Sequence, residues 1–241
     1  MCTVTIIPRR KGYRLGMNRD EKLTRPAGRP PQRTMEIGRA FIAPSEPGGG
    51  TWIGLNDHGV CLALINWYSV NRCVTGGSVS RGEIIPAARH AGDAETVDAT
   101  LASLPLLRIN PFRLIGVFPG GHKIIEWRWD LKRLTCLKHS WRAQQWISSG
   151  FDEARAQRVR SKNFVAARKQ KTSGSLEWLR RLHRSHSPSP GPFSTCMHRP
   201  DAATVSYTEV SVSQHEGALR YCAKAPCATS KSPRGLALAR R

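Results

Sequence analysis

The sequence predicts a mixed fold, α/β or α+β, built on antiparallel sheet. Three observations predict it. Short β-like runs sit in adjacent pairs joined by turns that contain Gly or Asp, which is the mark of hairpins. Helical spacing is concentrated in two places, residues 84–104 and 151–186. The order is therefore strands, helices, strands, helices, strands, which suits stacked layers with antiparallel sheets. The 241 residues suffice for one large domain, and 39% hydrophobic residues is a globular composition.

Taken in order, residues 2–7 and 12–18 read as two strands joined by the basic turn Arg9-Arg10-Lys11-Gly12. In Cys2-Thr3-Val4-Thr5-Ile6, strict alternation puts Cys2 on the apolar side with Val4 and Ile6. In the second run it puts Arg19 with Tyr13, Leu15 and Met17. A guanidinium on an apolar face needs a partner, and a thiolate or a carboxylate would serve. The Pro- and Arg-rich stretch from Arg25 to Arg33 reads as a solvated connector. Trp52 to Asn56 and Val60 to Asn66 form a hairpin around Asp57-His58-Gly59. The second of these runs is nearly all apolar, as a strand covered on both faces would be.

Ile84 to His90 reads as a short helix. Asp93 to Leu104 is a second, with Asp93 as N-cap, Val97, Leu101 and Leu104 at helical spacing, and Pro105 as its stop. Three strand-like runs follow, Phe112–Phe118, His122–Trp129 and Arg133–Lys138. Phe151 to Gln170 and Ser175 to His186 read as helices, the latter with Leu176, Leu179 and Leu182 on one stripe. Ser187 to Pro192 is a rigid linker. Thr204–Ser211 and Ala218–Tyr221 pair antiparallel. Residues 223–241, basic and rich in Ala, Ser and Pro, read as a disordered tail behind a domain of residues 1–222.

A net charge of +21, from 38 basic and 17 acidic residues, favours anionic partners without choosing among them. Residues 151–184 carry ten Lys/Arg against three Asp/Glu. They lack the aromatic, glycine or helix-turn-helix pattern of a nucleic-acid reader, so no specific nucleic acid is expected. No apolar run approaches the ~18 residues of a membrane span. No basic segment followed by an apolar core opens the chain. Seven scattered cysteines, at 2, 61, 73, 136, 196, 222 and 227, fit a reduced, cytoplasmic setting.

Cys2 is the leading chemical candidate. Removal of Met1 would leave it with a free α-amine beside its thiol. That amine has a reference pKa of about 7.7–8.0, so one residue would supply nucleophile and base. His183-x2-His186 with Cys196-x-His198 matches no common zinc signature, and Pro-rich sequence intervenes; no metal is expected on that spacing.

Met1-Cys2-Thr3, Tyr13-Arg14-Leu15-Gly16-Met17-Asn18-Arg19-Asp20-Glu21 and Gly49-Gly50-Thr51-Trp52-Ile53-Gly54-Leu55-Asn56 together resemble the NRDE family. That family includes transport and Golgi organisation protein 2 and is similar to the choloylglycine hydrolases and penicillin V acylases. Ser148 to Glu153 and Thr204 to Val210 extend the resemblance toward residue 222. It implies an α+β fold, the four-layer α-β-β-α sandwich of N-terminal-nucleophile hydrolases. It also implies Cys2 as nucleophile toward an amide or thioester, with no cofactor required.

The related hydrolases carry Arg-Asn-x-Asp, with Arg steadying the thiolate and Asp the amine. Asn18 and Asp20 match that motif, Met17 stands where the Arg belongs, and Arg19 falls on the strand face opposite to Asn18 and Asp20. The alternative role for Arg19 is a buried ion pair with Glu21 or another acid. Asn66 resembles an oxyanion-hole Asn, whereas Ser148-Ser149-Gly150 stands in place of a second one. The resemblance also implies an alternative function. A non-catalytic carrier would bind haem or acyl-CoA, with His183, His186 and Arg199 lining the pocket and holding an anionic group.

Overall fold

The structure is a computed structural model describing residues 2–229 and 232–241. The chain runs β1 (Cys2–Arg9), β2 (Gly12–Lys22), β3 (Arg29–Glu36), β4 (Arg39–Ser45), β5 (Ile53–Asn56), β6 (Cys61–Asn66), α1 (Ile84–Ala87) and α2 (Ala94–Ser103). It continues through β7 (Phe112–Phe118), β8 (Lys123–Trp129), β9 (Leu134–His139), β10 (Gln144–Ser148), α3 (Glu153–Arg168) and α4 (Leu176–Arg184). It closes with β11 (Ala202–Val212), β12 (Glu216–Cys222) and β13 (Arg234–Ala239).

Two sheets form, with strand orders β10-β1-β2-β11-β12-β13 and β3-β4-β5-β6-β7-β8-β9. The named strands pair antiparallel throughout. Alternation along the strands sorts their side chains between two sides of each sheet. Val4, Ile6, Leu15 and Met17 of one sheet meet Ile53, Leu55, Ala63 and Val117 of the other in a shared core. On the far side of the seven-stranded sheet, Leu62, Leu114 and Trp127 pack under Ile84, Ile85, Val97 and Leu101 of α1 and α2. On the far side of the six-stranded sheet, Ile7 packs under Trp178, Leu179 and Leu182 of α4. The result is the four-layer α-β-β-α sandwich.

The local signals act where the sequence places them. The Asp93 side chain accepts from Thr96 N at 2.8 Å and starts α2. The Ser175 hydroxyl accepts from Trp178 N at 3.0 Å and starts α4. Gly59, at φ +75°, turns the β5–β6 hairpin in a conformation that side-chain-bearing residues rarely adopt. Gly16 has another role: a Cβ there would lie 2.9 Å from the His183 ring, so its absence lets α4 approach β2.

Two stretches differ from the sequence expectation. Residues Arg29–Glu36, within and beyond the expected connector, form β3 at a sheet edge. Pro30 and Pro31 lack an amide donor, and the β3–β4 register shifts between Arg29 and Gln32; an edge position tolerates both. The tail expected to be disordered contains β13, which pairs with β12 from Glu216↔Ala239 to Tyr221↔Arg234. Leu236 and Leu238 supply its alternate apolar positions, and Leu238 is buried in the shared core. Among the described residues no helix is long and apolar enough to cross a membrane.

Candidate active site

β1 lies between β10 and β2, so Cys2 is flanked by Ser148 on one side and Arg19 on the other. It faces the space between the sheets, 7% exposed, at a cavity of about 170 Å³. Arg19, Glu46, Trp52, Asn66 and Arg81 border the same cavity. Met1, whose removal the nucleophile reading requires, lies outside the described residues.

Arg19 shares the inter-sheet face with Cys2. Its guanidinium donates to Glu46 Oε1 at 2.7 Å, lies 3.5 Å from Glu21 Oε2, and stacks 4.3 Å from the centre of the Trp52 ring. The expected ion pair with Glu21 therefore exists, and Glu46 is the closer partner. Arg25 ties both carboxylates from outside, at 2.9 Å to Glu21 and 2.6 Å to Glu46. Arg81 is held differently. It donates to Pro111 O at 3.0 Å, and it forms no ion pair among the described residues. Burial lowers its pKa, which marks a cation that lacks full compensation.

Asp20 occupies the other face of β2. Its carboxylate accepts from Thr204 Oγ1 at 2.6 Å and from the fully buried Arg160 at 3.2 Å. Arg160 also donates to Thr3 Oγ1 at 2.7 Å, which fixes α3 to β1. The β2–β11 register shifts between Thr204 and Ser206 and leaves Thr204 opposite Asp20. Such a bulge re-aims a side chain, here toward the carboxylate. The Asp20 backbone amide favours the Cys2 thiolate.

Burial raises the Cys2 thiol pKa, and the Asp20 charge adds to that, while Arg19 and the Asp20 amide oppose it. The net direction is up, so the sulfur is held as a thiol that needs a base. Asn66 ends β6 at the cavity, with Nδ2 donating to Tyr68 Oη at 2.8 Å. The Tyr68 ring packs on Gly150, while Ser149 Oγ donates to Phe151 O at 2.8 Å.

Other predicted site residues lie elsewhere. Asn18 is fully buried on the helix side, donating to His183 O at 2.9 Å and Thr195 O at 2.8 Å. It fastens β2 to α4 and does not reach the Cys2 cavity. His183, also fully buried, makes 3.0 Å contacts with Asn18 Oδ1 and Thr5 Oγ1. Burial, helped by Arg160, lowers its pKa to about 3, so the ring is neutral. Arg199 pairs with Asp201 at 2.8 Å and stacks over Phe151 at 4.7 Å. His186 lies 3.1 Å from His198. The expected trio of His183, His186 and Arg199 is thus engaged with three different sets of partners. Three contributors went unread in the sequence: Arg160, Glu46 and Arg81. An Arg within a basic helix and single charged residues in turns carry no pattern that separates them from solvated charges.

The family described as Transport and Golgi organisation 2 matches residues 1–123, about half of the chain. Comparison with curated proteins returns no match. Among solved structures, a mutant conjugated bile acid hydrolase from Clostridium perfringens superposes with a TM-score of 0.58 at 10% identity, covering 99% of this chain and 92% of that one. Penicillin V acylase from Agrobacterium tumefaciens gives a TM-score of 0.58 at 10% identity, covering 99% and 86%. These likenesses bear on the fold, which is that of the N-terminal-nucleophile hydrolases. By its sequence, the chain belongs to the Transport and Golgi organisation 2 family.

Proposed function

We propose that this protein is a cysteine-dependent hydrolase or acyl transferase acting on an amide or thioester whose acyl or leaving part bears an anionic group. The carrying observation is the placement of Cys2 at a cavity that also holds Asn66 and Arg81, a cation with no ion pair among the described residues. The names of the similar structures, a hydrolase and an acylase, agree with this reaction class. Fold alone would not choose it.

The chemistry follows from the raised thiol pKa. Cys2 as the first residue of a processed chain would use its α-amine to take the thiol proton. The thiolate attacks the substrate carbonyl carbon, and Asn66 Nδ2 turns from Tyr68 to donate to the developing oxyanion. Such a donor contributes about 2.7–4 kcal/mol to the transition state. The ammonium returns its proton to the leaving group as the C–N or C–S bond breaks. Water or another acceptor then attacks the thioester and regenerates the thiol. Arg81 binds the anionic group, and the Arg19–Glu46 pair fixes one cavity wall.

The test is turnover of a panel of N-acyl amino acids and acyl-CoA thioesters by the processed wild-type chain, Cys2→Ala and Arg81→Ala. Cys2→Ala should lose at least about a thousandfold in kcat/KM. Arg81→Ala should raise KM for anionic substrates about 10- to 100-fold, the worth of one charge-assisted hydrogen bond. Turnover that survives Cys2→Ala would overturn the proposal.

A further inference from the structure

Away from the Cys2 cavity, four side chains from three segments converge. His186 follows α4, Cys196 and His198 precede β11, and Cys227 sits in the turn after β12. Their ligand atoms all lie within 4.8 Å of one another. His186 Nε2 and His198 Nε2 are 3.1 Å apart, and Cys196 Sγ and Cys227 Sγ are 3.4 Å apart. His198 Nε2 lies 3.7 Å from Cys196 Sγ and 3.5 Å from Cys227 Sγ.

Mutual hydrogen bonding accounts poorly for this cluster. A ring nitrogen offers one proton or one lone pair, yet His198 Nε2 has three partners, one of them another Nε2. A disulfide does not describe it either, because bonded sulfurs lie about 2.05 Å apart. A single central ion does. Tetrahedral zinc with Zn–S of ~2.3 Å and Zn–N of ~2.05 Å sets ligand separations of about 3.8 Å for S···S, 3.3 Å for N···N and 3.6 Å for S···N. Four of the six separations fall within about 0.4 Å of those values, and the two between His186 and the sulfurs lie within 4.8 Å, so His186 moves inward when the ion binds.

We propose that His186, Cys196, His198 and Cys227 bind one zinc ion in a closed, structural Cys2His2 site. Two thiol protons leave on binding, so the ion and two thiolates are together neutral, as a partly buried site requires. Four protein ligands leave no position for water, so the ion's role is to hold chain segments. Hydrogen bonds already bring those segments close: Cys196 N donates to Ser185 O at 3.0 Å, and the Arg184 side chain donates from Nε to Pro226 O at 3.1 Å.

The site also braces the nucleophile's support. Met197, between two ligands, donates its N–H to Thr204 Oγ1 at 2.8 Å, and its carbonyl accepts from Thr204 N at 2.9 Å. Thr204 in turn holds Asp20, which follows the strand partner of Cys2, Arg19, on β2. The sequence spacing concealed the set because Cys227 is distant in the chain, and His183, which stands closer to the pattern, is engaged with Asn18 and Thr5 instead.

The experiment is metal analysis of the full chain, purified without a histidine tag and under reductant, followed by replacement of zinc with cobalt(II). Equimolar zinc is expected, with cobalt giving tetrahedral d–d bands and thiolate-to-cobalt charge transfer. Cys196→Ser and Cys227→Ser should lose the metal and the charge-transfer band, while Cys222→Ser, nearby on β12, should keep both. If the cysteine variants do not fold, His186→Asn and the cobalt spectrum of the wild type decide. A folded wild-type chain that takes up no zinc would overturn the proposal. So would zinc retained by Cys196→Ser and Cys227→Ser, iron with sulfide in its place, or a Cys196–Cys227 disulfide under reductant.

Discussion

Over the seven-stranded sheet, α1 and α2 bury Ile84, Ile85, Val97 and Leu101 against Leu62, Leu114 and Trp127. Over the six-stranded sheet, α3 and α4 meet β1 and β2 largely through Thr3, Thr5, Asn18, Asp20, Arg160 and His183, all buried. Only a small apolar cluster around Trp178, Leu179 and Leu182 accompanies them. The apolar layer stabilises the fold without directional demands, so its residues tolerate swaps of similar volume. The polar layer demands specific partners, because a buried donor or charge left alone costs more than its bond contributes. That layer backs the strands that carry Cys2. Positional precision is concentrated on the side of the molecule where chemistry is proposed.

Substitutions in the two layers should therefore differ in kind as well as in size. Arg160→Leu removes the buried Arg160–Asp20 pair and the Arg160 bond to Thr3, which should cost about 3–5 kcal/mol in denaturant unfolding. It should also lower Cys2 reactivity in chains that remain folded. Leu101→Ala in α2 should cost about 3 kcal/mol, by transfer and cavity terms, with Cys2 reactivity unchanged. Equal loss of reactivity in both variants would erase the distinction between the layers.

His183 gives the smallest effect and the clearest sign. Above pH ~6.5 its ring is neutral in both states and adds no pH dependence. Below that, the unfolded chain takes up a proton that the folded chain, with its pKa at about 3, refuses. Stability should fall by about 1.4 kcal/mol per pH unit from this group, reaching ~2 kcal/mol by pH 5. Urea titrations of wild type and His183→Gln between pH 5 and 7.5 should differ in slope by that amount. Parallel curves would mean that the ring is not held neutral.

The same contrast explains what could be read from the sequence. Apolar periodicity located α2, β5 to β8 and the stripe of α4, because burial of Val97, Leu101 or Leu179 leaves a repeating trace. The opening pair of strands was legible from alternation, which also placed Cys2 on the inner face. Arg160 left no trace, since one buried Arg among exposed ones on a basic helix follows no period. The edge strand β3 hid behind its prolines. Strand β13 hid behind a composition that reads as disorder, although Leu236 and Leu238 alternate. Asn18 and His183 were visible as special residues, and their role emerged only when β2 and α4 were brought together: each satisfies the other's buried polar atoms.

The central claim is that Cys2 is an activated nucleophile held by this polar layer. The most direct test is intact mass of the purified chain before and after limiting iodoacetamide, with the labelled peptide mapped. Cys73 and Cys136 are exposed and Cys2 is buried, so accessibility alone would label the first two. The account predicts loss of Met1 and labelling at Cys2 ahead of both. A retained Met1, or Cys73 and Cys136 labelled while Cys2 stays free, would contradict it.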